Sequence, residues 1–260
     1  MTMKGTHAMR PSVVVGMIAS AAISAAIALS PHPVRAALQI AGTVNGSSFL
    51  CVDNTACDSD GAVGTLRLSN QTLAGVVVDG SIQSSFGTPG NPGPLDILNT
   101  SSLSVINTNA ATVQALITVS DTSFAAPVTQ ATLSASGTWE NAVGSSIAMS
   151  WYADTANGQG ADFAGDNPGV LLDTAVSTAF LIADSLSHSA SVPFSATAPF
   201  SMSETALITL TAGGTLLNRG QTALAAVETP EPSSLFILGG GIIALVLART
   251  RALGKSPLGA

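Results

Sequence analysis

Charge is scarce in this chain: 9% of its 260 residues are Asp, Glu, Lys or Arg, where an average soluble domain has roughly a quarter. From residue 37 to residue 228 there is no lysine, and Arg67 and Arg219 are the only basic side chains. Nucleic acid is thereby excluded as a partner, because holding phosphates takes clustered Lys and Arg. Disorder does not follow from the low charge, since 46% of the residues are hydrophobic and recur in regular patterns. Aromatic side chains are just as thin, 4% with a single tyrosine, which leaves little surface for stacking sugar rings. Neither a long amphipathic helical stretch nor a repeat of fixed period is present, which argues against a solenoid or propeller.

What the chain does have is alternation with period two, the mark of half-buried strands. Leu133, Ala135, Gly137 and Trp139 alternate with Thr132, Ser134, Ser136, Thr138 and Glu140. After a turn at residues 141–146, Ile147, Met149, Trp151 and Ala153 alternate with Ala148, Ser150, Tyr152 and Asp154. The two runs read as a hairpin with both tryptophans inward and Tyr152 outward. The theme recurs at Leu66 and Leu68, Val76 and Val78, Val113 to Val119, and Met202 to Leu210. Val176 to Ala183 is more continuously apolar and reads as a central strand. Gly, Pro, Asn and Asp cluster between the runs, as at 87–94 and 157–169. Many short strands of this kind predict an all-β body, an antiparallel β-sandwich or jelly roll.

The two ends differ from the body. Lys4 and Arg10 precede the apolar stretch Val13 to Leu29, then Ser30-Pro31-His32-Pro33, then Val34-Arg35-Ala36. This is the layout of a secretory signal peptide cleaved between Ala36 and Ala37. No twin arginine and no cysteine at the cleavage site points to another export route or to lipidation. At the other end, Pro230-Glu231-Pro232 stands just before the apolar run Leu235 to Ala248, and Arg249 and Arg251 follow. The prolines hold the approach extended. The run is a short transmembrane helix, below the span of a roughly 30 Å hydrocarbon core. Its middle is loosened by Gly239-Gly240-Gly241, and the arginines stay on the cytoplasmic side.

That three-part tail resembles the PEP-CTERM sorting signal of exported bacterial proteins. The resemblance implies processing by an exosortase-type membrane protease, a transient membrane stop, and a final place on the cell surface or in the extracellular matrix. It also implies association with exopolysaccharide or biofilm in an organism with a double-membrane envelope. The stretch 252–260 makes this tail longer than the usual abrupt stop. The organisation expected is a signal peptide at 1–36, a β-sandwich body at 37–217, a linker at 218–228, the sorting signal at 229–251 and a short cytoplasmic tail at 252–260.

Chemistry is sparse along the body. Cys51 and Cys57 enclose five residues, and in an oxidising exported setting they suggest a disulfide that pins a loop. Paired thiol ligands for zinc are the alternative, although His188, the only histidine of the body, lies far off in sequence. Asp58 and Asp60, and Asp162 and Asp166 in a Gly-rich loop, are weak calcium candidates, since calcium takes several hard oxygens at once. Solvated turn aspartates are the simpler reading, because no complete calcium loop is present. No serine stands in a nucleophile elbow to use His188, and Glu140, Glu204 and Glu228 are the only glutamates of the body. No catalytic residue and no cofactor is expected. The reading is a non-enzymatic surface or matrix protein. A glycan- or calcium-binding module is the alternative, and a secreted hydrolase the outsider.

Overall fold

The alternation closes into two stacked antiparallel sheets. The computed structural model describes residues 38–85, 96–124, 127–218 and 222–228, all within one unit that spans residues 36–260. The described residues form thirteen strands and no helix. They are β1 (Gln39–Val44), β2 (Ser47–Val52), β3 (Thr65–Leu73), β4 (Val76–Ser85), β5 (Asp96–Asn107), β6 (Val113–Phe124) and β7 (Val128–Glu140). The rest are β8 (Ser146–Asp154), β9 (Val170–Thr178), β10 (Ala183–Ala196), β11 (Phe200–Leu210), β12 (Thr215–Asn218) and β13 (Thr222–Glu228). One sheet runs β2-β1-β6-β11-β8-β9; the other runs β10-β7-β12-β5-β4-β3, with β13 also set between β5 and β7. The architecture is the β-sandwich that the period-two pattern predicts.

Inward parity makes the core. Ile117 and Val119 of β6, Leu133 and Ala135 of β7, and Val76 and Val78 of β4 are all buried. Trp139, Trp151, Phe124 and Phe200 are the largest side chains fully withdrawn from water. Phe200 packs its ring 5.8 Å from that of Phe124 and 5.4 Å from that of Phe194, both tilted, a favourable arrangement for aromatic quadrupoles.

Three expectations are corrected. Residues 132–154 are not a hairpin: β7 pairs with β10, β12 and β13 in one sheet, while β8 pairs with β11 and β9 in the other. The link between them crosses the core instead of turning within a sheet. Asn141 and Gly144 take left-handed conformations (φ 51° and 81°), and Ala142 and Ser145 are buried beneath the crossing. Both tryptophans do point inward, from opposite sheets. Second, the apolar run at 176–183 is no central strand. It ends the edge strand β9 and continues as a turn that leaves Val176, Phe180, Leu181 and Ile182 exposed. Third, the linker expected at 218–228 contains β13, whose Leu224 is fully buried.

Among the described residues no helix is long and apolar enough to cross a membrane. The expected signal peptide with Ala36 and Ala37, the 87–94 loop, Pro230-Glu231-Pro232, the Leu235–Ala248 run, Arg249 and Arg251 lie outside the described residues.

Candidate functional site at the end that carries the tail

Strand register decides which loops meet. Gln39 at the start of β1 lies opposite Val52, the end of β2, and opposite Ser120 near the end of β6. Asp154 ends β8 opposite Ser201, and Phe124 ends β6 opposite Phe200. In the other sheet Val128 begins β7 opposite both Ala196 and Glu228. The short links from β6 to β7 and from β10 to β11 carry the chain between sheets at this same end. It therefore gathers the start of β1, the end of β13, the loop after β2 and the loop between β8 and β9. Both of the loops singled out by their aspartates are here.

The loop after β2 is stapled. Cys51 and Cys57 form the expected disulfide, with Cα atoms 5.7 Å apart. Asp58 spends its carboxylate on backbone: Oδ1 accepts from the N–H of Asp60 and of Arg67, both at 2.9 Å, and Oδ2 accepts from Asn54 N–H at 3.0 Å. Asp60 Oδ1 accepts from Ala62 N–H at 2.9 Å, and Asp53 Oδ2 from Gly64 N–H at 2.8 Å. Burial raises the Asp58 carboxyl, but these three N–H donors win and hold it below the ordinary value. At Asp53 burial dominates, and with the nearby Asp58 charge it outweighs the Gly64 bond, so that carboxyl rises. The two carboxyls are thus shifted in opposite directions, Asp58 down and Asp53 up.

The loop between β8 and β9 folds over the outer face of its sheet. Asp154 caps it by accepting from Ala156 and Gly158 N–H, both at 2.9 Å. Gly160 N–H donates to Ser120 Oγ at 3.1 Å, Gly165 N–H to Thr118 Oγ1 at 2.8 Å, and Thr205 Oγ1 to Asn167 Oδ1. A side chain at Gly160 would meet the Pro168 ring at 2.8 Å and Ser120 Oγ at 3.0 Å, so the close approach requires glycine. Asp166 Oδ2 accepts from Asp162 N–H at 3.4 Å. The weak calcium candidates Asp58, Asp60, Asp162 and Asp166 are thus divided between two loops, each engaged in its own turn. Among the described residues no group of three or more His, Cys, Asp or Glu is arranged to hold a metal ion.

Strand β13 leaves this end at Glu228, and a family model for the PEP-CTERM protein-sorting motif matches residues 228–252. The chain carries a PEP-CTERM sorting signal. The match takes in Pro230, Glu231 and Pro232, the apolar run, and Arg249 and Arg251. The PEP-CTERM motif implies processing by an exosortase membrane enzyme, export, and a cell-surface or extracellular location. It begins at the last residue of a strand set between β5 and β7, so no spacer separates sandwich from signal.

No curated protein matches the chain. Solved structures similar to it include TmCBM61 in complex with β-1,4-galactotriose, at 7% identity and a TM-score of 0.30, over 49% of this chain and 80% of that one. Another is the carbohydrate-binding module CBM6cm-2 from Cellvibrio mixtus lichenase 5A in complex with cellotriose, at 11% identity and 0.25, over 65% and 98%. A third is infectious bursal disease virus Gx strain, at 11% identity and 0.27, over 96% and 71%. Overlaps of this quality assign neither ligand nor role to the PEP-CTERM protein.

Away from this end, the structure pairs residues that sequence spacing did not connect. His188 of β10 meets Asp173 of β9 at 2.8 Å, Nε2 to Oδ2, and so clasps the edge strand of one sheet to that of the other. The His188 hydrogen bond, helped by the Thr174 N–H, lowers the Asp173 carboxyl against a smaller effect of burial. The His188 ring also stacks on Trp151 at 5.5 Å and 20°. Asp121 and Glu204 are buried acids that no sequence motif singles out. Burial pushes the Asp121 carboxyl up to about 7, against the Ser84 hydroxyl and the Thr122 N–H and with a push from the Asp53 charge. Ser84 Oγ stands beside it without closing a hydrogen bond. Glu204 is buried while Glu140 faces solvent on the other sheet, so they do not form a carboxylate pair for glycoside cleavage. Alternation carries a signal for both buried acids: Glu204 shares inward parity with Met202 and Ile208, and Asp121 with Ile117 and Val119.

Proposed function

We propose that this is a non-enzymatic protein of the cell surface or extracellular matrix, delivered by its PEP-CTERM signal and associated with exopolysaccharide. The observation that carries the reading is the direct continuation of β13 into the sorting motif at residue 228. The sandwich is the cargo and the tail its handle. Seven residue steps separate Glu228 from Leu235, at most about 25 Å of extended chain. Pro230-Glu231-Pro232 would then lie between a folded body and the bilayer, stiffened and exposed to a membrane-embedded protease. A start at Ala37 after signal cleavage fits the same plan, because the first strand begins at Gln39. The aspartate loops support a structural role for the body, since their carboxylates hold backbone N–H groups in place.

Mass spectrometry of surface and matrix fractions tests the sorting half. The reading expects a mature chain that starts at Ala37 and lacks the Leu235–Ala248 run. Replacing Pro230, Glu231 and Pro232 together by Ala should leave export intact and hold the full tail in the inner membrane. Protein at its final location with an intact C-terminus through Ala260 would overturn it. For the matrix half, a strain without the protein should retain less exopolysaccharide on its cells. Retention equal to that of the parent strain would remove that role.

A further inference from the structure

Between the sheets lies a cavity with about 30 Å³ open to the centres of water molecules. Leu103, Ile117, Met149 and Leu216 line it, and Gly137 contributes no side chain to fill it. About 10–15 Å³ of such space holds one water, so there is room for one or two. Among the polar lining residues, two carry a buried group without a partner. Glu204 of β11 is 5% exposed, its Oε2 accepts from Thr100 Oγ1 at 3.1 Å, and its Oε1 has no partner in the protein. Trp151 of β8, the register partner of Glu204, is fully buried, and its Nε1–H has no partner either. The indole N–H stands close enough to Glu204 to favour its anion slightly, yet outside hydrogen-bonding geometry. The residues that carry this donor and this acceptor, both buried and both unmet, line one hole large enough for water. The wall is otherwise largely apolar, but leaving either group unmet is costly, and a water that reaches both is the usual remedy.

We propose that this cavity is an internal water site that joins Trp151 Nε1–H to Glu204 Oε1, with Glu204 held there as an uncharged carboxylic acid. The inference is independent of what the body binds outside the cell. The neighbours of Glu204 supply no compensating cation. Thr100 faces it from β5, Trp151 from β8, Val119 from β6 across the ladder, and Gly137 and Leu216 across the core. His188 of β10 lies behind the indole, bonded to Asp173 of β9. Burial drives the carboxyl well above its ordinary value of 4.5, outweighing the Thr100 hydroxyl and the Trp151 N–H. The folded chain therefore keeps a proton that the unfolded chain releases. The resulting stabilisation is complete below pH 4.5 and is lost as pH rises toward and through the folded value.

The test uses the exported protein purified from cells, as wild type and as Glu204→Gln, which keeps the shape but cannot ionise. In that interval the wild-type unfolding constant should rise tenfold per pH unit from this group alone. The ratio of wild-type to Glu204→Gln unfolding constants should therefore grow at least tenfold between pH 5 and pH 8. Asp121 titrates in both proteins and cancels in that ratio. In an Asp121→Asn background, which removes the other buried acid that titrates near 7, infrared spectroscopy at pH 7 should show a buried protonated carboxyl band. NMR should show cross-relaxation from the Trp151 indole proton to long-lived water. A ratio constant with pH, an absent acid band, or an indole proton with no water partner would each overturn the proposal. These two spectra decide it even where Glu204→Gln does not fold.

Discussion

Leu224 tests whether the sorting signal is fused to the core or merely trails from it. Its register partners are Leu98 of β5 and Leu133 of β7, and all three are buried, at 0%, 0% and 2% exposure. Leu224→Ala removes three carbons from that contact. At about 0.8 kcal/mol per buried methylene the transfer loss is roughly 2.4 kcal/mol. The void between two flanking strands adds to it, for a total of about 2–5 kcal/mol. A domain of ordinary stability, about 5–15 kcal/mol, would keep its fold but lose a large share of its margin. Urea unfolding of the exported protein, followed by tryptophan fluorescence, reads this directly. With a slope of about 1–3 kcal/mol per molar, the midpoint should fall by about 1 M or more at unchanged slope. Val176→Ala is the control: it sits on the exposed side of edge strand β9 at 75% exposure and should shift stability by no more than about 0.5 kcal/mol. A Leu224→Ala midpoint within error of wild type would refute the placement of β13 between β5 and β7. The tail would then hang from β12, and the distance from sandwich to membrane would be unconstrained.

Trp139→Ala and Trp151→Ala should each cost about 3–5 kcal/mol, and the wild-type fluorescence should be blue-shifted and shielded from quenchers; red-shifted, freely quenched emission would place both rings in solvent. Asp121→Asn should flatten part of the pH dependence: a folded value of about 7 against 3.8 corresponds to about 4 kcal/mol at about 1.4 kcal/mol per unit. That stabilisation is complete below pH 3.8 and lost as pH rises through 7, so the variant should be the more stable protein at pH 8 and match wild type near pH 4. Equal stability of the two proteins at both pH values would show that Asp121 ionises freely.

Parity along a strand reports which side chains turn inward, and it reported that well here. Trp139, Trp151, Ile117, Val119, Leu66 and Val76 were all assigned to the buried face and are buried. Parity is silent on which strand lies alongside. A five-residue link such as 141–145 can close a hairpin or carry the chain over the core, and the flanking alternation is the same in both cases. The difference rests on left-handed Asn141 and Gly144 and on Ser145, whose hydroxyl accepts from Thr211 N–H at 3.0 Å. That partner is 66 residues away in sequence. The same blindness turned 176–183 into a central strand, because an apolar run predicts burial only if something covers it. Its neighbour on one side is β8 and on the other there is no strand within the described residues. Distance in sequence also hid the polar contacts. Glu204 meets Thr100 across 104 residues, and His188 meets Asp173 between edge strands of different sheets. The tail was legible for the opposite reason. A sorting signal is read by the membrane and by a protease as a local string, so its proline pair, apolar run and arginines must stand in order along the chain. The body answers to no such reader, and its chemistry exists only once thirteen strands have been brought into register.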